Sequence, residues 1–388
     1  MKKLLVLLPW TEFHDVHLVK DVGLFPEYFS LEYKIPVDFV FLDNENIGTK
    51  KSEYHGMRLI KLPALDESGK VPRLLSHPLK FFKFLKIFTD FLKENKSIYS
   101  HVMIFHINST TLYFADFIKK LSSKIRIYIK CDADSFKRKQ WIYIGKILEK
   151  SDALSIESEN LANEAKKRFK QNRQKIQFVP NGFDDRNFDK NFLSLPKENL
   201  IIQTARFGTD QKNTRLLLKI LSEVDLRNWK AVLAGTIEKD FLTFLNDFFE
   251  KRPDLKEKII FAGNITDRNE LYKLYAQASI FILTSRYESF SLSVMESAFF
   301  GDYVVSTNVG ISDTVRRKFR GFVVDVNPLK KKNDAKIASE MEDEIKKCIE
   351  NPERCAIDFE TQEKIRSYFS MSSIVKMDLF RKFFGEEK

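Results

Sequence analysis

Cysteine is nearly absent from this 388-residue chain: Cys131, Cys348 and Cys355 make an odd set with no CxxC pair. That argues against a disulfide framework and a cysteine-held zinc, and it fits a reducing compartment. Glycine is scarce as well, at 13 residues, which disfavours loop-rich or collagen-like architectures. No window reaches the roughly 18 apolar residues of a membrane span. The opening MKKLLVLLPW has the lysines and apolar run of a leader. The run is short, however, and TEFHDVH follows without a small-residue cleavage site, so a first buried strand is expected.

Apolar and basic residues are what the chain has in quantity. Hydrophobic residues make up 43%, with 36 phenylalanines, enough for sizeable cores, while 31% charged residues do not amount to a disorder signature. At roughly 100–200 residues per domain, two domains are expected. The net charge of +11 is uneven: residues 1–190 carry 33 Lys and Arg against 24 Asp and Glu, and the remainder is nearly balanced. A basic face suits an anionic partner such as nucleic acid, an anionic membrane or a phosphorylated substrate; solvated lysines explain it equally well.

Short apolar runs at 3–9, 37–42, 101–107 and 124–130 read as strands. They are hydrophobic on both sides, as in a parallel sheet covered on both faces. Helical patterns occupy 77–95 and 111–124, and SDALSIES and NLANEAKKRFKQ add a strand and a helix before a Pro-Asn-Gly turn at 180–182. The polar segment 184–199, with Pro196, reads as a linker. Alternation then restarts: LIIQTAR, KAVLAGT, KIIFAGN, SIFILTS and DYVVSTN as strands, with helical patterns between them. The expected fold is α/β, with two Rossmann-like doubly wound domains facing a cleft. The first covers 1–183 and the second 200–365, and a terminal helix of about 366–388 returns to the first.

Ligands of such sheets sit beyond the carboxyl ends of strands. Arg206 and Lys212 lie there, in the loop TARFGTDQKN. They could neutralise a diphosphate, Arg as a fork and Lys as a point charge, or be plain surface cations. TSRYESFSLSVMESAFFG places Glu288 in a strand's exit loop and Glu296 about one turn into the next helix. The amides of Ser291, Leu292 and Ser293 would lie at that helix's N-terminus, where free N–H groups and the helix dipole attract anions. Glu288 could accept hydrogen bonds from sugar hydroxyls or simply complement the dipole. Glu296 sits in an apolar run, where a carboxylate without a partner is costly, so a ligand is its expected partner.

These stretches together resemble glycosyltransferase family 4, whose fold is GT-B. The stretch TSRYESFSLSVMESAFFGDYVVSTNVG is similar to its glutamate–seven–glutamate signature, SDALSIESENLANEA…KIQFVPNGFD to its segment ending in Pro-Asn-Gly-x-Asp, and TARFGTDQKN to its Gly-Arg…Lys-Asn loop. Specific motifs cover roughly 150–325; residues 1–150 match in pattern only. The resemblance implies a cytosolic, metal-independent, retaining hexosyltransferase without a cofactor, with a UDP- or GDP-sugar as donor. Its acceptor would be a glycan or lipid-linked molecule, in cell-surface polysaccharide, lipopolysaccharide or glycolipid synthesis. Arg206 and Lys212 would hold the diphosphate, with Glu288 on the donor sugar as the third catalytic residue. Glu296 would take the ribose, Ser291 and Leu292 would offer backbone amides to the distal phosphate, and Phe290 would be a further donor-binding residue. Gly263 and Ile265 would lie against the base.

Departures from that pattern are plain. The paired glycines after the first strand are absent, and IKCDAD replaces a His-Asp pair, leaving Lys130 and Asp132 as substitutes. ESFSL, where EGFGL is common, puts Ser289 and Ser291 where backbone must approach phosphate. Together these suggest a divergent donor or acceptor. His14 and His106, at strand ends, are further acceptor-side candidates beside Asp132 and Lys130. Asp132 and Asp134 could mimic an Asp-x-Asp metal clamp, but no metal is expected. The helix at 77–96 sets phenylalanines at helical spacing beside Lys80, Lys83 and Lys86. It is either a core helix or a surface docked on the inner face of an anionic membrane. The competing functions are a nucleotide-sugar epimerase or a phosphorylase on the same fold, and a non-enzymatic module binding membrane or nucleic acid. The last explains the charge but not Arg206, Lys212, Glu288 and Glu296, and no nucleic-acid partner is expected.

Overall fold

The apolar runs become parallel strands buried on both faces. A computed structural model of the chain describes residues 2–9, 13–43, 48–65, 77–133, 141–326 and 334–385. The chain divides into two units, Met1–Gly182 with Met371–Lys388, and Phe183–Ser370. Both are Rossmann-like.

The strands of the first unit are β1 (Lys3–Leu7), β2 (Val37–Leu42), β3 (Glu53–Tyr54), β4 (Met57–Leu62), β5 (Tyr99–Phe105), β6 (Arg126–Cys131), β7 (Ala153–Ile156) and β8 (Ile176–Phe178). They form one sheet in the order β3-β4-β2-β1-β5-β6-β7-β8. Every pairing is parallel except β3 with β4. All six residues of β2 are buried. Its one charged residue, Asp38, accepts from Arg58 Nη2 at 2.7 Å and from the Tyr99 hydroxyl at 2.9 Å, as a buried carboxylate requires. The helix Pro78–Asn95 buries Phe84, Leu85, Phe88, Thr89 and Leu92. No described helix is long and apolar enough to cross a membrane. The tail belongs to this unit from Met371 onward. Phe380 of the helix Asp378–Phe384 packs its ring 4.8 Å from Phe29 and 5.3 Å from Tyr128, centroid to centroid.

The second unit's strands are β9 (Leu200–Thr204), β10 (Lys230–Ala234), β11 (Ile259–Gly263), β12 (Ile280–Leu283), β13 (Tyr303–Thr307) and β14 (Phe322–Val324). Their order is β11-β10-β9-β12-β13-β14, all parallel. Numbered within the unit this is 3-2-1-4-5-6, the doubly wound order in which the chain reverses direction between the first and fourth strands. The crevice at that reversal lies between the exits of β9 and β12.

The segment expected to be a linker, 184–199, is instead packed into the second unit. Phe188 is buried, its ring 5.2 Å from Phe183 and 5.9 Å from Phe299. Lys197 donates to buried Asp302 at 2.6 Å. Polar composition misled there because the anchoring groups are single residues spaced along an otherwise hydrophilic strap.

Candidate active site

The exits of β9 and β12 are laced together. Thr284 Oγ1 donates to the Lys212 carbonyl at 3.1 Å, the Arg286 amide to the Gln211 carbonyl at 2.8 Å, and Gln211 Nε2 to the Tyr287 carbonyl at 3.1 Å. Arg286 completes the lacing, forking onto Asp334 at 3.0 and 2.9 Å and reaching Asn213 Oδ1 at 3.1 Å. Its charge is therefore committed to holding the loops.

Across this crevice Lys212 Nζ meets Glu288 Oε1 at 2.5 Å, with Ser285 Oγ donating to the same oxygen at 2.7 Å. The side chains of Lys212 and Glu288 are only 18% and 10% exposed. Glu288 was expected to be free for a ligand; one of its oxygens is already occupied. Arg206 differs from Lys212. Its side chain is 67% exposed, and it pairs with Glu238 in the loop after β10.

The helix Leu292–Phe299 begins at Ser291, whose φ of +70° is left-handed. Gly310 makes room for this turn: a Cβ there would lie 2.3 Å from the Phe290 carbonyl oxygen, which accepts from the Ile311 amide at 2.8 Å. The first-turn amides, Leu292 and Ser293 among them, have no acceptor within the helix itself. Glu296, four residues further on, is buried. It was expected to need a ligand; the chain supplies its partner. Arg268 Nη2 bonds to Glu296 Oε1, and the same guanidinium straddles the Tyr272 hydroxyl at 2.7 and 3.1 Å. Burial works against the charge on Arg268, but the Glu296 carboxylate overcomes it, so the guanidinium is held more firmly protonated than usual. Burial, with Glu296 beside it, pushes the Tyr272 phenol up. Gly263 ends β11 at φ +73° with nothing within 4 Å of where a Cβ would be, and Ile265 is half-buried.

In the first unit, His106 follows β5 with φ +66° and lies 3.0 Å from Asp132, which follows β6. A histidine–aspartate pair thus exists between two strand exits, although the adjacent pair is missing from the sequence. Lys130 does not share that exposure. Its side chain is 2% exposed, with the ammonium 2.9 Å from Asp21, 2.7 Å from Asn181 Oδ1 and 4.0 Å from Glu157. Burial opposes its charge, but Asp21 and Glu157 hold its pKa above the ordinary lysine value. His14 caps the short helix Asp15–Leu18, its amide donating to His17 Nδ1 at 2.9 Å. Trp10–Glu12 of that loop and Asp134 of the possible metal clamp lie outside the described residues. Among the described residues no cluster of three or more His, Cys, Asp or Glu could hold a metal ion.

Sequence reasoning missed Glu238, Arg268, Tyr272 and Arg286 in the second unit, and Asp21 and Glu157 in the first. Only Arg268 had a signal: a glutamate within an apolar run calls for a cation.

Residues 184–357 match the family model described as glycosyl transferases group 1. The chain is related to the group 1 glycosyltransferases and has the GT-B fold. Among curated relatives of this group, the N-acetyl-alpha-D-glucosaminyl L-malate synthase of Bacillus anthracis is 27% identical over 191 residues, 46% of this chain and 48% of that protein. The chain spans about half or less of the length of the curated relatives it matches. Two solved structures share the GT-B fold over nearly the whole chain. The lipopolysaccharide outer core galactosyltransferase WaaB, in its apo form, has a TM-score of 0.69 at 15% identity, covering 100% of this chain and 99% of that one. HepE of Anabaena, solved with UDP and glucose, has a TM-score of 0.64 at 15% identity, covering 96% and 97%.

Proposed function

We propose that the protein is a retaining glycosyltransferase that moves a sugar from a nucleoside-diphosphate sugar to a glycan or lipid-linked acceptor. The observation that carries the reading is the Lys212–Glu288 pair at the switch point of the second unit, with Arg206 in the same loop. The family match over this unit and the UDP-bound neighbour support it.

Arg206 and Lys212 neutralise the diphosphate. The amides of Ser291 and Leu292, beside Phe290, take the distal phosphate at the helix N-terminus. Glu288 contacts the donor sugar, Glu296 the ribose, and the Gly263–Ile265 stretch the base, where the open space beside Gly263 leaves room for a ring. Lys212 exchanges part of its bond to Glu288 for a phosphate oxygen. The bond from the anomeric carbon to the phosphate oxygen breaks, and the acceptor oxygen bonds to that carbon on the same face. The acceptor proton passes to the leaving phosphate, so no side-chain base is required. Fixed cations and amides aimed at the charge that develops on the leaving group supply the rate.

The acceptor side falls to the first unit, with His14, His106 and Asp132 as contacts. Lys130, being buried, acts by fixing Asp21 and Asn181. The acceptor would be a cell-surface polysaccharide, lipopolysaccharide or glycolipid precursor; the fold shared with WaaB supports this. A cytoplasmic enzyme, peripheral on an anionic membrane, fits the helix Pro78–Asn95, where Leu79 is 85% and Phe82 59% exposed beside Lys83 and Lys86.

A thermal-shift screen against UDP, GDP, ADP and their sugars tests the donor. One nucleotide should raise the midpoint by mass action, and its sugar should then be turned over. Unchanged turnover in both Arg206→Ala and Glu288→Ala would refute the assignment.

A further inference from the structure

Glu296 does not stand alone at the second unit's site. One carboxylate oxygen, Oε1, accepts from Arg268 Nη2, and among the described residues no donor reaches Oε2. The guanidinium is fixed from its other side. Its Nε and Nη2 reach the Tyr272 hydroxyl at 3.1 and 2.7 Å, and its carbon lies 4.7 Å from the centre of the Tyr272 ring. Tyr272 is buried, and its ring packs 4.9 Å from Phe183 and 5.5 Å from Phe300. The order of support is therefore core to phenol, phenol to guanidinium, guanidinium to carboxylate.

We infer that Arg268 is a positioning residue that holds Glu296 aimed, with Oε2 left to accept from the vicinal hydroxyls of a ribose; this rests on the donor reading above. Two physical points carry it. A carboxylate buried in an apolar helix is costly unless it is paired and hydrogen-bonded, so its partner decides where it points. An acceptor oxygen discriminates hydroxyls only if its direction is fixed, because a mobile carboxylate gives up in ordering what it gains in bonding. Arg268 also contributes geometry that lysine lacks, since a planar fork can span the phenol and the carboxylate together. Arg268 is in this reading neither a phosphate ligand nor a catalytic residue. Its side chain is 44% exposed, at the start of the helix Arg268–Gln277, and its recorded bonds go to Glu296 and Tyr272.

The test measures binding of UDP and GDP, each beside its 2′,3′-dideoxy form, with inorganic pyrophosphate as a probe of the phosphate subsite. The full-length wild type is compared with Arg268→Gln, Arg268→Lys and Tyr272→Phe. Wild type should prefer the ribose form by about tenfold or more, the scale of a hydrogen bond to a charged group. Arg268→Gln should abolish that ratio and leave pyrophosphate binding unchanged. Arg268→Lys should restore part of it. Tyr272→Phe, which deletes only the phenol oxygen, should lower it less than Arg268→Gln does. An Arg268→Gln protein that keeps the full ratio overturns the inference. So does one that loses ribose form, dideoxy form and pyrophosphate alike, which would mark a merely structural role. A wild type that binds pyrophosphate but neither nucleotide overturns the donor reading and this inference with it. A wild type that binds nucleotide without preferring ribose overturns the inference alone.

Discussion

Arg206 and Lys212 are assigned the same task, yet the structure embeds them so differently that their removal should separate stability from catalysis. Arg206 is 67% exposed, and its partner Glu238 is itself accessible to solvent. Surface pairs of this kind contribute little to folding, so Arg206→Ala should melt with the wild type. Lys212 and Glu288 are 18% and 10% exposed. Lys212→Ala leaves the Glu288 carboxylate with only the Ser285 hydroxyl, and a partly buried group stripped of its partner costs about 1–3 kcal/mol. For a domain of this size that lowers the melting temperature by about 2–4 °C per kcal/mol. Catalysis should fall in both variants. Losing one fixed stabiliser of developing charge typically lowers kcat by about 10²–10³-fold.

The assay is single-turnover release of nucleoside diphosphate from the donor identified by the screen, with a melting curve on the same sample. The expected pattern is two variants impaired in kcat, of which only Lys212→Ala is also less stable. Arg206→Ala with kcat within about threefold of wild type would refute the diphosphate role, since one stabiliser should count for far more. Arg206→Ala with a melting point lowered as much as that of Lys212→Ala would refute the reasoning from exposure.

Asp302 is wholly buried, and burial pushes its pKa up to about 7 despite the Lys197 ammonium at 2.6 Å. A folded pKa above the unfolded value favours the protonated fold, so stability should fall as pH rises from about 4 through 7. Thermal denaturation between pH 5 and 9 should show this slope, and Asp302→Asn should flatten it. Gly310→Ala puts a Cβ 2.3 Å from the Phe290 carbonyl oxygen, at a φ of +56°; the Phe290–Ser291 turn should distort, and calorimetry should show weakened nucleotide binding in a protein that still folds. Leu79→Ser with Phe82→Ser should reduce co-sedimentation with vesicles containing anionic phospholipid. Turnover on a water-soluble acceptor should be unchanged, because these side chains are exposed; equal sedimentation would exclude this patch as the docking surface.

Much of the fold was legible because its strands are short, apolar and sharply bounded. The stretch 37–42 is β2 residue for residue, and the helix expected at 77–95 runs Pro78–Asn95. What escaped lacked periodicity. The helix Asp21–Glu32 contains Gly23 and Pro26 and is buried from Val22 to Phe29, so it shows no polar face to read. The strand β4 is a six-residue alternation with no apolar run. In the candidate site, Arg206, Lys212, Glu288 and Glu296 stood out through spacing and residue type. Glu238 did not, being an ordinary charged residue on a loop until the fold brings its partner to it, and Arg268 was signalled only indirectly, by the demand of Glu296 for a cation.

That distinction bears on why two glutamates stand with seven residues between them. Glu288, in the exit loop of β12, holds Lys212 from the exit loop of β9. Glu296, inside the following helix, holds Arg268 from the helix after β11. The two carboxylates thus tie three strand exits to one helix. In the structure as it stands, Arg206 and Lys212 each rest against a carboxylate. On the proposed donor reading, a diphosphate arriving at the site meets cations already aimed but partly neutralised, and competes with Glu288 for Lys212. Replacing Glu288 by Gln removes the competitor and keeps the hydrogen-bonding shape. Bare nucleoside diphosphate should then bind more tightly while transfer slows, because the sugar contact is weakened. Calorimetry with UDP and GDP, beside turnover on the same variant, reads both changes. Weaker binding of the diphosphate in Glu288→Gln would show that the pair orders the site rather than competes with its ligand.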